Sequence, residues 1–200
     1  RRAVSELVIS FAISMLRHIP EAQQEVLKGT WRQHIGGNLS GKTVGIIGCG
    51  FIGKDLIKLL QPFNCRILVN DILDFPDFYK LYNLEAVELS QLLSLSDVVS
   101  LHVPLDDSTR NMLSAYNLNL MKSSAILINA ARGGLVDEKE LKAMLIDKRL
   151  FAAALDVFSL EPPEDFGLLE LPNFLVTPHI GGSSIEAILA MGRAAINGLE

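Results

Sequence analysis

The sequence is poor in cysteine and has no run of basic residues. Its two cysteines, Cys49 and Cys65, have neither disulfide nor metal-ligand spacing, so we expect no bound metal. Two free thiols in a chain of 200 residues indicate a reducing compartment, and the expected localisation is cytoplasmic. The formal net charge is −5, and no four basic residues follow one another, which argues against a nucleic-acid partner.

Long apolar runs, internal repeats and low-complexity tracts are also missing. Arg1-Arg2 followed by the apolar residues 7–13 could be mistaken for a signal peptide, but Glu6 interrupts the start and no small-x-small cleavage site follows. The run is too short to span a bilayer, so we expect no membrane association.

With 49% hydrophobic and 20% charged residues, the chain suits one globular domain. It begins with Arg rather than Met, and we expect a piece of a longer protein.

The most informative segment that is present is the glycine turn at residues 48–53 (GCGFIG). An apolar strand is predicted before it at 42–47, and a helical pattern follows it at 54–60. A second strand is predicted at 66–70, with Asp71 at its end. Strand, glycines, helix, strand and acid in this order are the dinucleotide-binding fingerprint, whereas the glycines alone would be a weak signal.

Each position of the fingerprint has a physical reason. Gly48 allows the tight turn, Gly50 lets the backbone approach a pyrophosphate, and Gly53 lets the helix pack close to the sheet. The free N–H groups of the first helical turn then face the phosphates. Asp71 is placed to accept hydrogen bonds from a ribose diol, and no Arg or Lys follows it in residues 72–74. The sequence therefore predicts NAD rather than NADP as cofactor.

The rest of the chain alternates between strands and helices. This order predicts an α/β fold, a doubly wound parallel sheet of the Rossmann type, with helices on both faces. Further strands are predicted at 97–101, 125–129, 151–156 and 174–176. Helices are predicted at 3–18, 21–28, 89–93, 137–148 and 183–199, and residues 74–83 are predicted as a loop.

Polar residues follow four of these strands. Ligands of open α/β sheets bind outside the carboxyl ends of the strands, so these residues should meet at one edge. They are His102, Asn129, Arg132, Asp156, Glu161 and His179. Taken singly, Arg132 fits a surface salt bridge, Glu161 a solvated loop acid and His179 a buried histidine. Together they suit hydride transfer, because a histidine beside a carboxylate can shuttle a proton while an arginine holds an anionic substrate.

At this point the sequence resembles a known family, the D-isomer-specific 2-hydroxyacid dehydrogenases. The resemblance rests on residues 129–138 (NAARGGLVDE), 154–158 (ALDVF) with Glu161-Pro162, 178–182 (PHIGG) and 101–105 (LHVPL), together with the glycine turn. These motifs cover nearly the whole chain. Within this family, the sequence looks most like D-3-phosphoglycerate dehydrogenase and its hydroxypyruvate and glyoxylate reductase relatives.

The resemblance implies roles for residues. Arg132 would bind the substrate carboxylate and carbonyl, His179 would be the acid and base, and Glu161 would hold His179 and favour its protonated form. Asp156 would bind the nicotinamide carboxamide. The implied remaining contacts to NAD come from Phe51, Ile52, His102, Val103, Pro104, Ala130, Ala131 and Gly182. The partners would be a small 2-hydroxy or 2-keto acid and a second copy of the chain, since the family commonly dimerises through this domain.

Two departures from the family pattern qualify this prediction. Phe51 stands where many members carry Arg or Lys, so one side-chain contact to phosphate is absent. The chain is also short for the family, so the substrate domain should be largely absent. We expect residues 1–200 to be the NAD-binding domain, with 1–28 and 183–200 as linking or dimerisation helices, and to bind NAD with little turnover.

Two alternatives remain open from the sequence. An NAD-sensing corepressor or scaffold could keep Arg132, Glu161 and His179 on the same domain. A formate-dehydrogenase-like enzyme is the other alternative, but its pattern lacks a Glu at the position of Glu161.

Overall fold

The computed structural model describes residues 1–197, and seven parallel strands in that range form one sheet. The strands are β1 Thr43–Ile47, β2 Arg66–Asn70, β3 Glu85–Ala86, β4 Val98–Leu101, β5 Ile126–Asn129, β6 Ala152–Leu155 and β7 Phe174–Val176. Their spatial order is β3-β2-β1-β4-β5-β6-β7. Strands β4, β5 and β6 are buried along their whole length, as expected for a parallel sheet covered on both faces. The predicted doubly wound fold is confirmed.

Helices cover the two faces of this sheet. They are α1 Arg2–Leu16, α2 Ile19–Leu27, α3 Phe51–Leu60, α4 Pro76–Tyr82, α5 Leu89–Leu95, α6 Ala115–Leu118, α7 Glu138–Ile146, α8 Phe166–Leu169 and α9 Ile185–Asn197, with a 3-10 turn at Gln61–Phe63. Successive strand residues alternate between two apolar clusters. Ile46 belongs to the cluster that includes residues of α1 and α3, whereas Ile47 belongs to the cluster that includes residues of α5 and α7.

The strand order reverses between β1 and β4, which places a crevice at the carboxyl ends of the strands. In the sheet register, Ile47 of β1 is opposite both Asn70 and Leu101. Leu101 is opposite Asn129, which is opposite Leu155. The strands therefore end at one level, and the residues that follow them meet along one edge, as predicted.

The first helix is part of the core. α1 buries Val8, Phe11 and Met15 in the cluster that contains Ile46, and it occupies most of the predicted helix 3–18. No single helix among the described residues is long and apolar enough to cross a membrane, although α1 and α2 pass that test as a pair bent by 61°.

The structure corrects several predicted elements. Residues 74–83 are not a loop, because α4 occupies most of them. Pro76 fits the first turn of α4, because backbone N–H groups there have no hydrogen-bond partner within the helix and the one that proline lacks is not needed. Tyr79 of the same helix is buried. α2 begins at Ile19 rather than at residue 21, since Pro20 also lies in a first helical turn. The short elements β3, α6 and α8 were not predicted, because a segment of two to four residues is too short to show a hydrophobic period. The end of the predicted helix 183–199, and of the linking helix 183–200, lies outside the described residues.

Candidate active site

The glycine turn between β1 and α3 has the predicted conformation. Gly48 has a φ of +101°, in the left-handed region, and its N–H donates to the carbonyl oxygen of Asn70 at 2.8 Å. A Cβ on Gly53 would lie 2.1 Å from the carbonyl oxygen of Gly48, so glycine is needed for α3 to pack on the turn. A Cβ on Gly50 would meet no atom of residues 1–197 within 4 Å. In the same part of the chain no side chain caps α3, so its first N–H groups are available to a pyrophosphate.

Asp71 lies beside this turn at the end of β2. Its carboxylate accepts hydrogen bonds from the N–H groups of Cys49 and Leu73. A carboxylate has about four lone-pair sites, so it can also accept ribose hydroxyls. Asp74 and Glu88 line the same depression of about 440 Å³, and its lining within residues 1–197 includes no Arg or Lys. This surrounding of negative charge suits a free 2′-hydroxyl better than a 2′-phosphate.

A cleft of about 330 Å³ lies beyond the carboxyl ends of the central strands. The predicted residues that line it are Ile52, His102, Val103, Pro104, Ala130, Ala131, Arg132, Asp156, His179 and Gly182. Val4 and Gly181 line it without having been predicted. Gly181 lies inside the family motif at residues 178–182, but Val4 reaches the cleft only through the packing of α1. Phe51 starts α3 outside the cleft, with 81% of its surface exposed.

His102 contributes a neutral imidazole to the cleft wall. Its Nε2 lies 2.9 Å from the hydroxyl of Ser100. Its Nδ1 is buried and has no hydrogen-bond partner among the described residues. Burial lowers the pKa of His102 to about 4, because the charged form loses its hydration.

Arg132 is carried by a turn that Asn129 braces. Asn129 is 1% exposed, and its amide donates to the carbonyl oxygen of Arg132 at 2.9 Å while its Oδ1 accepts from the N–H of Ala131 at 3.1 Å. A Cβ on Gly133 would lie 1.8 Å from the carbonyl oxygen of Phe158, so the turn lies directly against the loop after β6. The guanidinium is exposed, with Nη1 donating to the carbonyl oxygen of Ala131. Its other N–H groups suit a bidentate bond to a carboxylate.

His179 lines the cleft and forms a pair with Glu161, which lines an adjacent depression rather than the cleft itself. Nδ1 of His179 lies 2.8 Å from Oε2 of Glu161, and Oε1 of Glu161 accepts from the N–H of Phe158 at 3.1 Å. The hydrogen bond to His179, followed by that from Phe158, holds the pKa of Glu161 below its ordinary value. With Nδ1 engaged, Nε2 is the nitrogen left for proton exchange with a substrate.

Asp156 holds the loop that carries His179. It is 1% exposed, and its carboxylate accepts from the hydroxyl of Thr177 and from the N–H groups of Ile180 and Gly181. The N–H of His179 donates to the carbonyl oxygen of Asp156 at 2.9 Å. His179 itself has a φ of +55°, which is uncommon for a residue with a side chain and needs such support. This loop-holding role was not predicted.

The geometry agrees with comparisons to known proteins. Residues 9–181 match the family model "D-isomer specific 2-hydroxyacid dehydrogenase, NAD binding domain". The chain is 43% identical over 194 residues to D-3-phosphoglycerate dehydrogenase of Escherichia coli (strain K12), covering 93% of this chain and 47% of the relative. It is 38% identical over 199 residues to hydroxypyruvate reductase of Thermotoga maritima, covering 95% and 63%.

The fold also matches that of a solved structure. An NAD-complexed D-isomer specific 2-hydroxyacid dehydrogenase from Lactobacillus delbrueckii ssp. bulgaricus superposes with a TM-score of 0.91 at 31% identity, covering 98% of this chain and 65% of that one. The chain thus spans about half the length of the curated relatives it matches. The predicted cofactor, NAD, is confirmed by the family match and by this neighbour. The chain belongs to the D-isomer specific 2-hydroxyacid dehydrogenase family, and residues 9–181 match the NAD binding domain of that family.

Proposed function

We propose that this chain is the NAD-binding domain of a dehydrogenase that interconverts a D-2-hydroxy acid and a 2-keto acid. The observation that carries the proposal is that His179 lines the same cleft as the exposed Arg132 and is paired with Glu161 through Nδ1. 3-Phosphoglycerate and hydroxypyruvate are the candidate substrates, because the relatives named above are a phosphoglycerate dehydrogenase and a hydroxypyruvate reductase. Nothing in these relatives supports the corepressor alternative.

Each residue of the site has a task in this reaction. Arg132 binds the substrate carboxylate and polarises the neighbouring oxygen. His179 accepts the hydroxyl proton at Nε2 during oxidation and returns it to the carbonyl oxygen during reduction. Glu161 fixes the ring through Nδ1 and stabilises the positive charge that His179 gains. Bound NAD supplies the hydride acceptor, and its reduced form the donor.

The residues that would hold NAD lie along the crevice. Gly50 and the first turn of α3, from Phe51 to Gly53, offer backbone N–H groups to the pyrophosphate, and Asp71 accepts from the ribose. The nicotinamide end belongs in the cleft, where Asp156 has the acceptor capacity for a carboxamide. This fit rests on the open space at Gly50 and the acidic surroundings of Asp71.

The proposal extends to domain organisation and assembly. Residues 1–200 act as one NAD-binding domain, and the terminal segments 1–28 and 183–200 link it to a substrate domain or to a second copy. Apolar side chains exposed near these segments support a covering partner. They are Leu27, Trp31, Ile35 and Ile185, with exposed fractions of 72, 86, 97 and 74%. The free thiols of Cys49 and Cys65 suit the cytoplasm.

The test separates cofactor binding from turnover. The 200-residue chain should quench or shift NADH fluorescence on binding but reduce hydroxypyruvate and related 2-keto acids only slowly, since it spans about half of its relatives. Full turnover by this chain would contradict the need for a further domain, and a failure to bind NADH would contradict the proposal itself.

The catalytic roles need variants of the complete protein. His179→Gln should lower kcat by about 10²- to 10⁴-fold with NADH affinity retained, because it removes the acid and base. Arg132→Gln should raise KM for the 2-keto acid and lower kcat. Arg149→Gln is a matched control, since Arg149 pairs with Glu140 on the surface of the domain. Unchanged kcat in His179→Gln would refute the assignment.

A further inference from the structure

A second cluster of ionisable side chains lies at the junction of α1 and α2. His18 separates the two helices, Glu21 lies in the first turn of α2, and His34 belongs to the segment after α2. The His18 ring packs edge-on against Phe151, which directly precedes β6, at 5.4 Å between ring centroids. The cluster is therefore near the amino-terminal edge of the sheet, opposite the NAD cleft.

The candidate ligand atoms already converge. Nδ1 of His18 lies 3.3 Å from Oε2 of Glu21, and Nδ1 of His34 lies 3.8 Å from the same oxygen. One ligand atom from each of the three residues lies within 4.8 Å of the others. In a tetrahedral zinc site with bonds of about 2.0 to 2.2 Å, neighbouring ligand atoms are about 3.3 to 3.5 Å apart. Small side-chain movements would bring the three atoms onto one ion.

A fourth residue orients one of the imidazoles. Nε2 of His34 lies 2.8 Å from Oε2 of Glu25, and Glu25 in turn accepts from Arg32 at 3.4 Å. The His34 side chain is only 6% exposed. A carboxylate on Nε2–H places the lone pair of the neutral ring on Nδ1, toward Glu21 and His18. A metal-ligating histidine almost always donates its other ring N–H to a carboxylate, a backbone carbonyl or a water, and Glu25 is such a partner for His34.

The backbone supports the same interpretation. His18 has a φ of +54° and precedes Pro20, so the chain turns sharply where the ring enters the cluster. Residues held in such conformations are concentrated at functional sites.

We propose that Nδ1 of His18, Nδ1 of His34 and the carboxylate of Glu21 bind a divalent transition metal of the zinc class. Two imidazoles and one carboxylate suit Zn²⁺ better than Ca²⁺ or Mg²⁺, which prefer oxygen ligands. Water completes the tetrahedron, and Glu25 acts as a positioning residue behind His34. The ion ties the segment after α2 to the α1–α2 junction. The expectation of no bound metal rested on the spacing of Cys49 and Cys65, neither of which belongs to this cluster.

Zinc titration of the chelator-treated 200-residue chain, followed by calorimetry, tests this site. We expect one ion per chain. His34→Gln should weaken binding at least about 100-fold, and Glu25→Gln, which keeps every ligand, should weaken it about 10- to 100-fold. His179→Gln and Cys65→Ser are matched controls that should bind like the wild type. Cobalt in place of zinc should give ligand-field bands without a thiolate charge-transfer band.

Three results would overturn the proposal. They are no saturable zinc binding, wild-type affinity in His34→Gln, or loss of the ion in His179→Gln. Retained NADH affinity and circular dichroism show that a variant is folded. If His34→Gln does not fold, Glu25→Gln decides, and wild-type affinity in that variant overturns the proposed site.

Discussion

Mild acid should destabilise this domain through His102. Burial lowers the pKa of this imidazole from 6.5 to about 4 in the folded chain, whereas the unfolded chain keeps the ordinary value. Between these two pH values the unfolded state binds a proton that the folded state does not bind. The stability contributed by the neutral ring is therefore complete above the unfolded pKa and declines as the pH falls toward 4.

The size of this effect follows from the two pKa values. Because one pKa unit corresponds to about 1.4 kcal/mol, His102 should remove about 2.5 kcal/mol from the free energy of unfolding between about pH 7 and about pH 4.5. This is a large share of the roughly 5 to 15 kcal/mol that stabilises a typical domain. Its Nδ1 has no partner in the described structure that could offset the cost of charging the ring.

Urea unfolding at the two pH values measures this term. The His102→Gln variant has no titrating group at this position. Between the two pH values its free energy of unfolding should therefore decrease by about 2.5 kcal/mol less than that of the wild type. Other carboxylates and histidines titrate in both proteins and cancel in the comparison. An equal loss of stability in the variant and the wild type would refute the assignment of a neutral His102 with a buried Nδ1.

Three further predictions concern cofactor choice, catalysis and packing. Asp71→Ala should shift the ratio of NADH to NADPH affinity at least about tenfold toward NADPH, because one hydrogen bond to a charged group contributes about 1.5 to 3 kcal/mol. The ratio, from fluorescence titrations, cancels damage to the turn that both cofactors share, and an unchanged ratio would exclude contact with the ribose. Glu161→Gln should lower kcat about tenfold or more while NADH affinity holds, since His179 loses its charged partner; steady-state kinetics with an unchanged kcat would contradict this. Gly133→Ala should lower the free energy of unfolding by about 1 to 3 kcal/mol, because its Cβ would overlap the carbonyl oxygen of Phe158. Thermal unfolding at the wild-type temperature would show that this close approach is not needed.

Local chemistry explains why so much of the fold could be predicted. The turn at residues 48–53 lies between a strand and a helix within a short stretch, and the structure bears out the steric reasons for Gly48 and Gly53. The segment at 74–83 shows where local chemistry misleads. Its proline indicated a loop, but Tyr79 gains enough burial against the sheet for a helix to form from Pro76 onward.

The site was only partly visible in the sequence. Strand ends predicted that Arg132 and His179 share one edge, because parallel strands end at the same level. Nothing local indicated that the Asp156 carboxylate holds the loop carrying His179, since its partners are backbone N–H groups 24 and 25 residues away. Val4 and the His18 cluster were likewise missed, because contacts across helices leave no periodic trace.

The sequence by itself determined the doubly wound fold, the NAD fingerprint and the residue types of the cleft, because these depend on spacing within single strand–turn–helix units. Only the tertiary structure decided how those residues are held. The 2.8 Å contact between His179 and Glu161 and the convergence of His18 with His34 join segments that are apart in the chain. The burial of the His102 Nδ1, which has no partner within residues 1–197, likewise depends on how the elements pack. Such contacts arise from packing between elements, and packing depends on the whole fold rather than on neighbours in the sequence.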